Sequence, residues 1–183
     1  MEIIKTHIQD LLIIKPRIFK DKRGYFYETF NKNEFLKNNL NYNFIQDNES
    51  KSHYGVIRGL HFQNGKYSQA KLVRVLQGKV LDVAVDLRKN SKTFGKYFTV
   101  ELSATNKLQF LIPRGFAHGF SVLSKTAVFT YKCDNFYNKE SEGSINIFDK
   151  SLNIDWKIDK IDIIVSDKDL KTPDLKNAKF NFK

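Results

Sequence analysis

The sequence predicts an all-β protein, an antiparallel sandwich or barrel with a few short peripheral helices. Three observations carry that expectation. The 183 residues are 41% hydrophobic and 14% aromatic, enough apolar mass for an ordered core rather than a disordered chain. Short β-rich runs separated by turn residues recur about every ten residues, the spacing of sandwiches and barrels. In the clearest run, Leu81, Val83, Val85 and Leu87 alternate with Asp82, Ala84, Asp86 and Arg88. That period of two gives a strand one apolar face.

Along the chain, residues 11–19 read as a first strand and 25–30 as a second. The stretch 31–40 (NKNEFLKNNL) reads as a short helix. Residues 71–76 and 79–87 flank Gly78 and read as a hairpin. Further strands are expected at 97–102, 108–112, 127–132 and 144–148. After Trp156 the chain turns polar, with one dense charged segment, SDKD, at 166–169. There is no internal repeat and no linker-like stretch. One domain is therefore expected over 1–183, with its core at about 10–173 and the C-terminal tail packed on or near it.

A net charge of +11 raises nucleic-acid binding as a reading. The distribution argues against it. Lysines are scattered from Lys5 to Lys183 with acids between them, and of 31 basic residues 25 are Lys and six are Arg. The arginines are the residues to follow, because only their planar fork grips phosphate or carboxylate bidentately. No apolar run approaches the roughly 20 residues of a membrane-crossing helix. The start, MEIIKTHIQDLLII, carries Glu2 and Asp10 and no basic region followed by a long apolar one, so no signal peptide is expected. Cys133 is the sole cysteine. It permits no internal disulfide, and the cytoplasm is the expected location.

Several residues have the chemistry for a site. His61 lies in RGLHFQ (58–63), beside a strand, and His118 lies in IPRGFAHGF (112–120), where two glycines predict a tight loop. Either histidine has a structural alternative. Polar residues within the strands, Lys71, Arg74, Asp82 and Tyr131, fit the inner wall of a ligand-binding barrel. Each, taken alone, fits the wet face of an ordinary strand as well. No metal is expected: Phe62 and Gln63 follow His61, so the His-x-His pair of metal cupins is missing, and no other His/Cys/Asp/Glu set replaces it. Nothing nearby marks Cys133 as a thiolate nucleophile. No glycine-rich phosphate loop or dinucleotide fingerprint occurs.

Together RGLHFQ, QAKLVRVLQGKVLDVAVDLRKNSKTFG (69–95) and IPRGFAHGF resemble the dTDP-4-dehydrorhamnose 3,5-epimerases. FKDKRGYFYETFN (19–31), QDNESKS (46–52), the TYK around Tyr131 and SDKD extend the match, in family order, over about residues 10–173. The resemblance implies a cupin-like jelly roll, usually a homodimer, that needs no metal and no redox cofactor. It implies an isomerase that inverts carbons beside the C4 ketone of a nucleotide-linked 4-keto-6-deoxy sugar, feeding surface polysaccharide synthesis. By the same resemblance His61 is the base, Asp169 the carboxylate behind it, Tyr131 the acid on the opposite face and Lys71 the cation at the C4 oxygen. Arg58 is expected at the diphosphate with Lys168 as helper, and Gln46, Asn48 and Tyr137 at the nucleotide. Phe19, Arg23, Phe26 and Glu28 match a segment that reaches the nucleotide from the neighbouring subunit. His118 and Asp82 are expected near the sugar, behind the groups that touch it. Phe136 departs from the tyrosine common in the family, which puts one nucleotide-side hydrogen bond in doubt. The preferred donor is dTDP-4-dehydro-6-deoxy-D-glucose. Inversion at C3 only, a GDP-linked 4-keto-heptose, and a non-catalytic sugar-binding cupin are the alternatives.

Overall fold

A computed structural model describes residues 1–183. Thirteen strands form two facing antiparallel sheets and a small hairpin. The six-stranded sheet runs β1 (Glu2–Lys5), β2 (Leu12–Lys15), β10 (Gln109–Ile112), β7 (Lys71–Gln77), β12 (Thr126–Cys133), β5 (Gln46–His53). The five-stranded sheet runs β13 (Glu142–Ser144), β6 (Ile57–Gln63), β11 (Phe116–Val122), β8 (Lys79–Asp86), β9 (Tyr97–Ser103). The hairpin pairs β3 (Phe19–Asp21) with β4 (Gly24–Phe26). The architecture is the cupin-like jelly roll that the resemblance implies.

The inter-sheet core joins Val73, Val75, Phe110, Ile112 and Phe129 of the larger sheet to Val80, Ala84, Leu102, Phe116, Phe120 and Val122 of the smaller. The apolar face read in β8 does not point into this core. Leu81, Val83, Val85 and Leu87 point outward, where Ile145, Ile147, Trp156, Phe180 and Phe182 cover them. The side carrying Asp82 and Ala84 faces the other sheet, so β8 is buried on both faces. A third cluster lies outside the larger sheet, where Phe35 packs on Ile14, Leu72 and Leu111.

Several local expectations differ from the structure. The strand read at 11–19 is broken at buried Pro16, which has no N–H for a ladder; β2 and β3 lie on either side. The run at 71–87 is not a hairpin, because β7 and β8 belong to different sheets and the chain crosses between them at Gly78. Gly78 has φ +77°, and a Cβ there would collide with the Thr126 carbonyl oxygen, so only glycine suits the crossing. His118 sits within β11, not in a loop. Gly119 serves close strand approach: a Cβ on it would meet the Arg58 carbonyl oxygen at 2.7 Å. The helix α1 spans only Lys32–Lys37; Asn31 caps it by accepting from the Asn33 and Glu34 amides, and Asn39 ends the turn at φ 59°. Strands β1, β5, β6 and β11 went unread, the strand expected at 25–30 is only Gly24–Phe26, and the last strand is Glu142–Ser144 instead of 144–148.

The loop after β8 is built on one carboxylate. Asp86 is fully buried and accepts from Arg88 N, Nε and Nη2 at 2.9–3.0 Å, and from Ser91 Oγ and Thr93 Oγ1 at 2.7 Å. Arg88 continues to Asp10 at 3.0 Å. Burial pushes the Asp86 carboxyl up, but these donors outweigh it and hold it below the usual carboxylate range. Its contribution is therefore complete above the ordinary carboxylate pKa and fades as pH falls through the lower folded value. Asp86→Asn is expected to cost about 3 kcal/mol at neutral pH, and to flatten the acid limb of a urea-denaturation stability profile. An unchanged acid limb would assign that limb to other carboxylates.

Candidate active site

Strand parity sorts the polar residues onto one wall. Asp82 lies between inward-facing Val80 and Ala84, and His118 between Phe116 and Phe120. His61 is the cross-strand partner of His118 and shares its face. On the facing sheet, Lys71 precedes Val73 by two and Tyr131 follows Phe129 by two, so both also point inward. Asn48 and Gln46 stand opposite Tyr131 and Cys133 on β5. Arg74 falls on the other face, where its guanidinium donates to Tyr27 Oη at 3.1 Å. The inner-wall reading of Arg74 is thus corrected, whereas Lys71, Asp82 and Tyr131 line the inside.

The structure brings His61 and Asp169 together across 108 residues, with Nε2 2.7 Å from Oδ1. Asp169 lies in a short helix, α2 (Asp167–Leu170), and is 5% exposed. Ser166 caps that helix by accepting from the Asp169 amide at 3.2 Å. Burial pushes the Asp169 carboxyl up, but hydrogen bonds from His61, the Gly59 amide and Ser166 hold it below its ordinary range. An ionised carboxylate only accepts, so Nε2 carries the proton and Nδ1 keeps the lone pair.

The remaining groups are tuned by burial. The Lys71 amine is pushed down by desolvation, with Cys133, Asp82 and Glu142 opposing. Its Nζ stands 5.7 Å from the centroid of the Tyr131 ring. Burial raises the Tyr131 phenol, and Arg58 pulls it back in part. Tyr131 therefore keeps its proton at neutral pH. The Asp82 carboxylate accepts from His118 Nε2 at 2.9 and 3.1 Å; burial pushes Asp82 up and His118 down.

At the rim, Arg58 donates through Nε to Ser52 Oγ at 3.1 Å, leaving its terminal nitrogens free of protein partners. Gln46 donates to Asn48 Oδ1 at 3.0 Å. Glu142, which sequence reasoning missed, accepts from Lys168 Nζ at 2.6 Å and Tyr137 Oη at 3.0 Å. It gathers two residues singled out separately, and nothing periodic in NKESEGS marks it. Phe19, Arg23, Phe26 and Glu28 do not join this cluster. They lie on or just after the β3–β4 hairpin, with Phe26 67% exposed, Arg23 paired to Asp21 and Glu28 accepting from Asn31. Phe136 is 62% exposed.

A jelly roll whose inner wall sets a histidine–carboxylate pair opposite a lysine and a tyrosine fits the class of cupin-like sugar epimerases. Known proteins agree with that class. The family model for dTDP-4-dehydrorhamnose 3,5-epimerase matches residues 5–177, and the chain belongs to this family. It is 53% identical to the dTDP-4-dehydrorhamnose 3,5-epimerase of Shigella flexneri over 171 residues, 93% of each chain. The crystal structure of dTDP-4-dehydrorhamnose 3,5-epimerase from Elizabethkingia anophelis superposes with a TM-score of 0.93 at 61% identity, covering 97% of both chains. The Legionella pneumophila dTDP-6-deoxy-D-glucose-3,5-epimerase, solved with dTDP-4-keto-L-rhamnose, gives 0.92 at 48% identity, covering 96% of this chain and 93% of that one.

Removing the Asp82 carboxylate isolates a buried imidazole. Asp82→Ala is expected to destabilise the fold by about 2–3 kcal/mol, read by urea denaturation at neutral pH. A neutral result would show that His118 finds another partner.

Proposed function

We propose that this chain is a homodimeric, cytoplasmic dTDP-4-dehydro-6-deoxy-D-glucose 3,5-epimerase that makes the dTDP-L-rhamnose precursor. The observation that carries the reading is the His61–Asp169 pair, on the wall facing Tyr131 and Lys71. A C4 ketone acidifies the hydrogens at C3 and C5, because the carbanion spreads onto oxygen as an enolate. His61 takes the proton on Nδ1 while Asp169 stabilises the resulting imidazolium. Lys71 donates a hydrogen bond to the developing enolate oxygen, and a donor held in place in a desolvated wall acts strongly on charge as it forms. Tyr131 returns a proton from the opposite face. One proton leaves and one arrives, so the isomerisation is redox-neutral and needs no nicotinamide or flavin.

The free nitrogens of Arg58 suit a diphosphate. Gln46, Asn48 and Tyr137 border the nucleotide, with Lys168 assisting at the phosphates, and His118 and Asp82 back the sugar. The bound dTDP-sugar of the Legionella relative supports dTDP as the donor. Phe19, Arg23, Phe26 and Glu28 complete the neighbouring subunit's nucleotide site; the exposed aromatic faces of the hairpin are the kind of surface that a second copy covers.

In heavy water, turnover of the dTDP-4-keto sugar is expected to place deuterium at both C3 and C5. Label at C3 alone would identify a 3-epimerase, and no label with any dTDP- or GDP-linked keto sugar would remove the enzymatic reading. His61→Asn is expected to lower kcat by about 10³-fold with nucleotide affinity retained in calorimetry. A near-normal rate would exclude His61 as the base.

A further inference from the structure

Asp169 reaches His61 from a segment with little structure of its own. The helix α2 is four residues long, too short to hold itself in water. It hangs between two anchors. Before it, Ile164 exchanges backbone hydrogen bonds with the start of β6: Ile57 N donates to Ile164 O, and Ile164 N to Gly55 O, both at 2.9 Å. After it, the tail meets the turn that follows β13, where Asn146 N donates to Pro173 O at 2.8 Å and Leu175 N donates to Asp149 Oδ2 at 2.6 Å. Of these four bonds only the last uses a side chain.

Asp149 is built for that contact. It is 5% exposed, and its other oxygen accepts from Ser151 N and Oγ at 2.7 Å each. Burial pushes its carboxyl up, but the converging N–H and O–H donors hold it below the usual range. Both oxygens are used as acceptors. An amide offers one acceptor and one donor, so Asn in either orientation turns an NH₂ toward an N–H. Beyond Leu175 the tail is fastened again by Phe180 and Phe182 against Phe62. Loss of the Asp149 bond leaves Asn146 N to Pro173 O as the one hydrogen bond tying the strap to that turn, so the stretch carrying Asp169 is held less closely while the tail stays attached.

We propose that Asp149 is a positioning residue: by fixing Leu175 it sets where the Asp169 carboxylate meets His61. This rests on the reading of His61–Asp169 as the reacting pair. Arg58, Gln46, Asn48 and Lys71 lie on the sheets and only Lys168 of the binding groups rides on the strap, so substrate binding is largely kept while the chemistry slows.

The test compares Asp149→Asn, Asp169→Asn, the double variant and Leu175→Pro in the full chain. The proline removes the donor's N–H, and its backbone suits the site because Leu175 opens a 3-10 turn after extended Asp174; Leu175→Ala, which keeps the N–H, is the control for the lost side chain that packs on the outer cluster. Asp149→Asn and Leu175→Pro are each expected to lower kcat by up to about 100-fold with KM nearly unchanged. They should move the pH–rate profile in the direction that Asp169→Asn moves it. The double variant should be no slower than Asp169→Asn, since both act through one contact. Full kcat in Asp149→Asn below its melting midpoint, or multiplying effects, would overturn the proposal. If Asp149→Asn does not fold, Leu175→Pro decides by the same criteria. If the wild-type protein turns over no keto sugar, the catalytic reading falls separately, and the imidazole ¹⁵N shifts of His61 decide. They must change in Asp149→Asn as in Asp169→Asn, and unchanged shifts would refute the positioning role.

Discussion

A 2.7 Å hydrogen bond between His61 and Asp169 joins the middle of a barrel wall to a strap near the end of the chain. Much of the architecture follows from the need to hold it. The strap crosses the outer face of the five-stranded sheet, which explains why the apolar side of β8 points away from the inter-sheet space. The carboxylate arrives desolvated but supplied with donors, so it stays ionised and dictates which imidazole nitrogen is protonated. A base whose tautomer is fixed before substrate arrives loses no free energy to reorganisation during the reaction.

The inner wall shows a consistent electrostatic logic. Lys71, Asp82, His118 and Tyr131 are all pushed by burial toward their uncharged forms. Cys133, beside them, is pushed up to about 11 by the same effect and is an inert thiol near neutral pH. The wall thus disfavours standing charge while keeping partial compensation close by. Negative charge that develops on a bound ketone meets a lysine with few competing partners, in a medium that screens poorly.

Sequence reasoning reached the fold class and several strands because β7, β8, β9, β10 and β12 carry strong local signals of β-branched and aromatic residues. It missed β5, whose polar alternation (QDNESKSH) hides an edge strand, and β6, where the tight approach of Gly59 and Gly119 matters more than periodicity. Gly78 looked like a hairpin turn because a chain reversal and a sheet crossing make the same local demand on φ. The facing of β8 was illegible for another reason: period two says that two faces differ, not which one meets the opposite sheet. The motifs named His61, Asp169, Lys71 and Tyr131 together. Their mutual geometry, and the roles of Glu142 and Ser52, depend on contacts between residues distant in sequence, which no local pattern encodes.

The crossing at Gly78 also bears on how the chain reaches its native state. Because β7 and β8 part company there, most ladders join remote segments: β2 with β10, β5 with β12, β6 with β11. Little of either sheet can form by zippering outward from a local hairpin, and long loops must close before burial repays their lost entropy. Such a topology places the chain among slow folders, on the order of milliseconds to seconds. The strap bearing Asp169 docks on β6, whose ladder partners β11 and β13 both lie far along the chain, so the reacting pair is assembled across the same long loops.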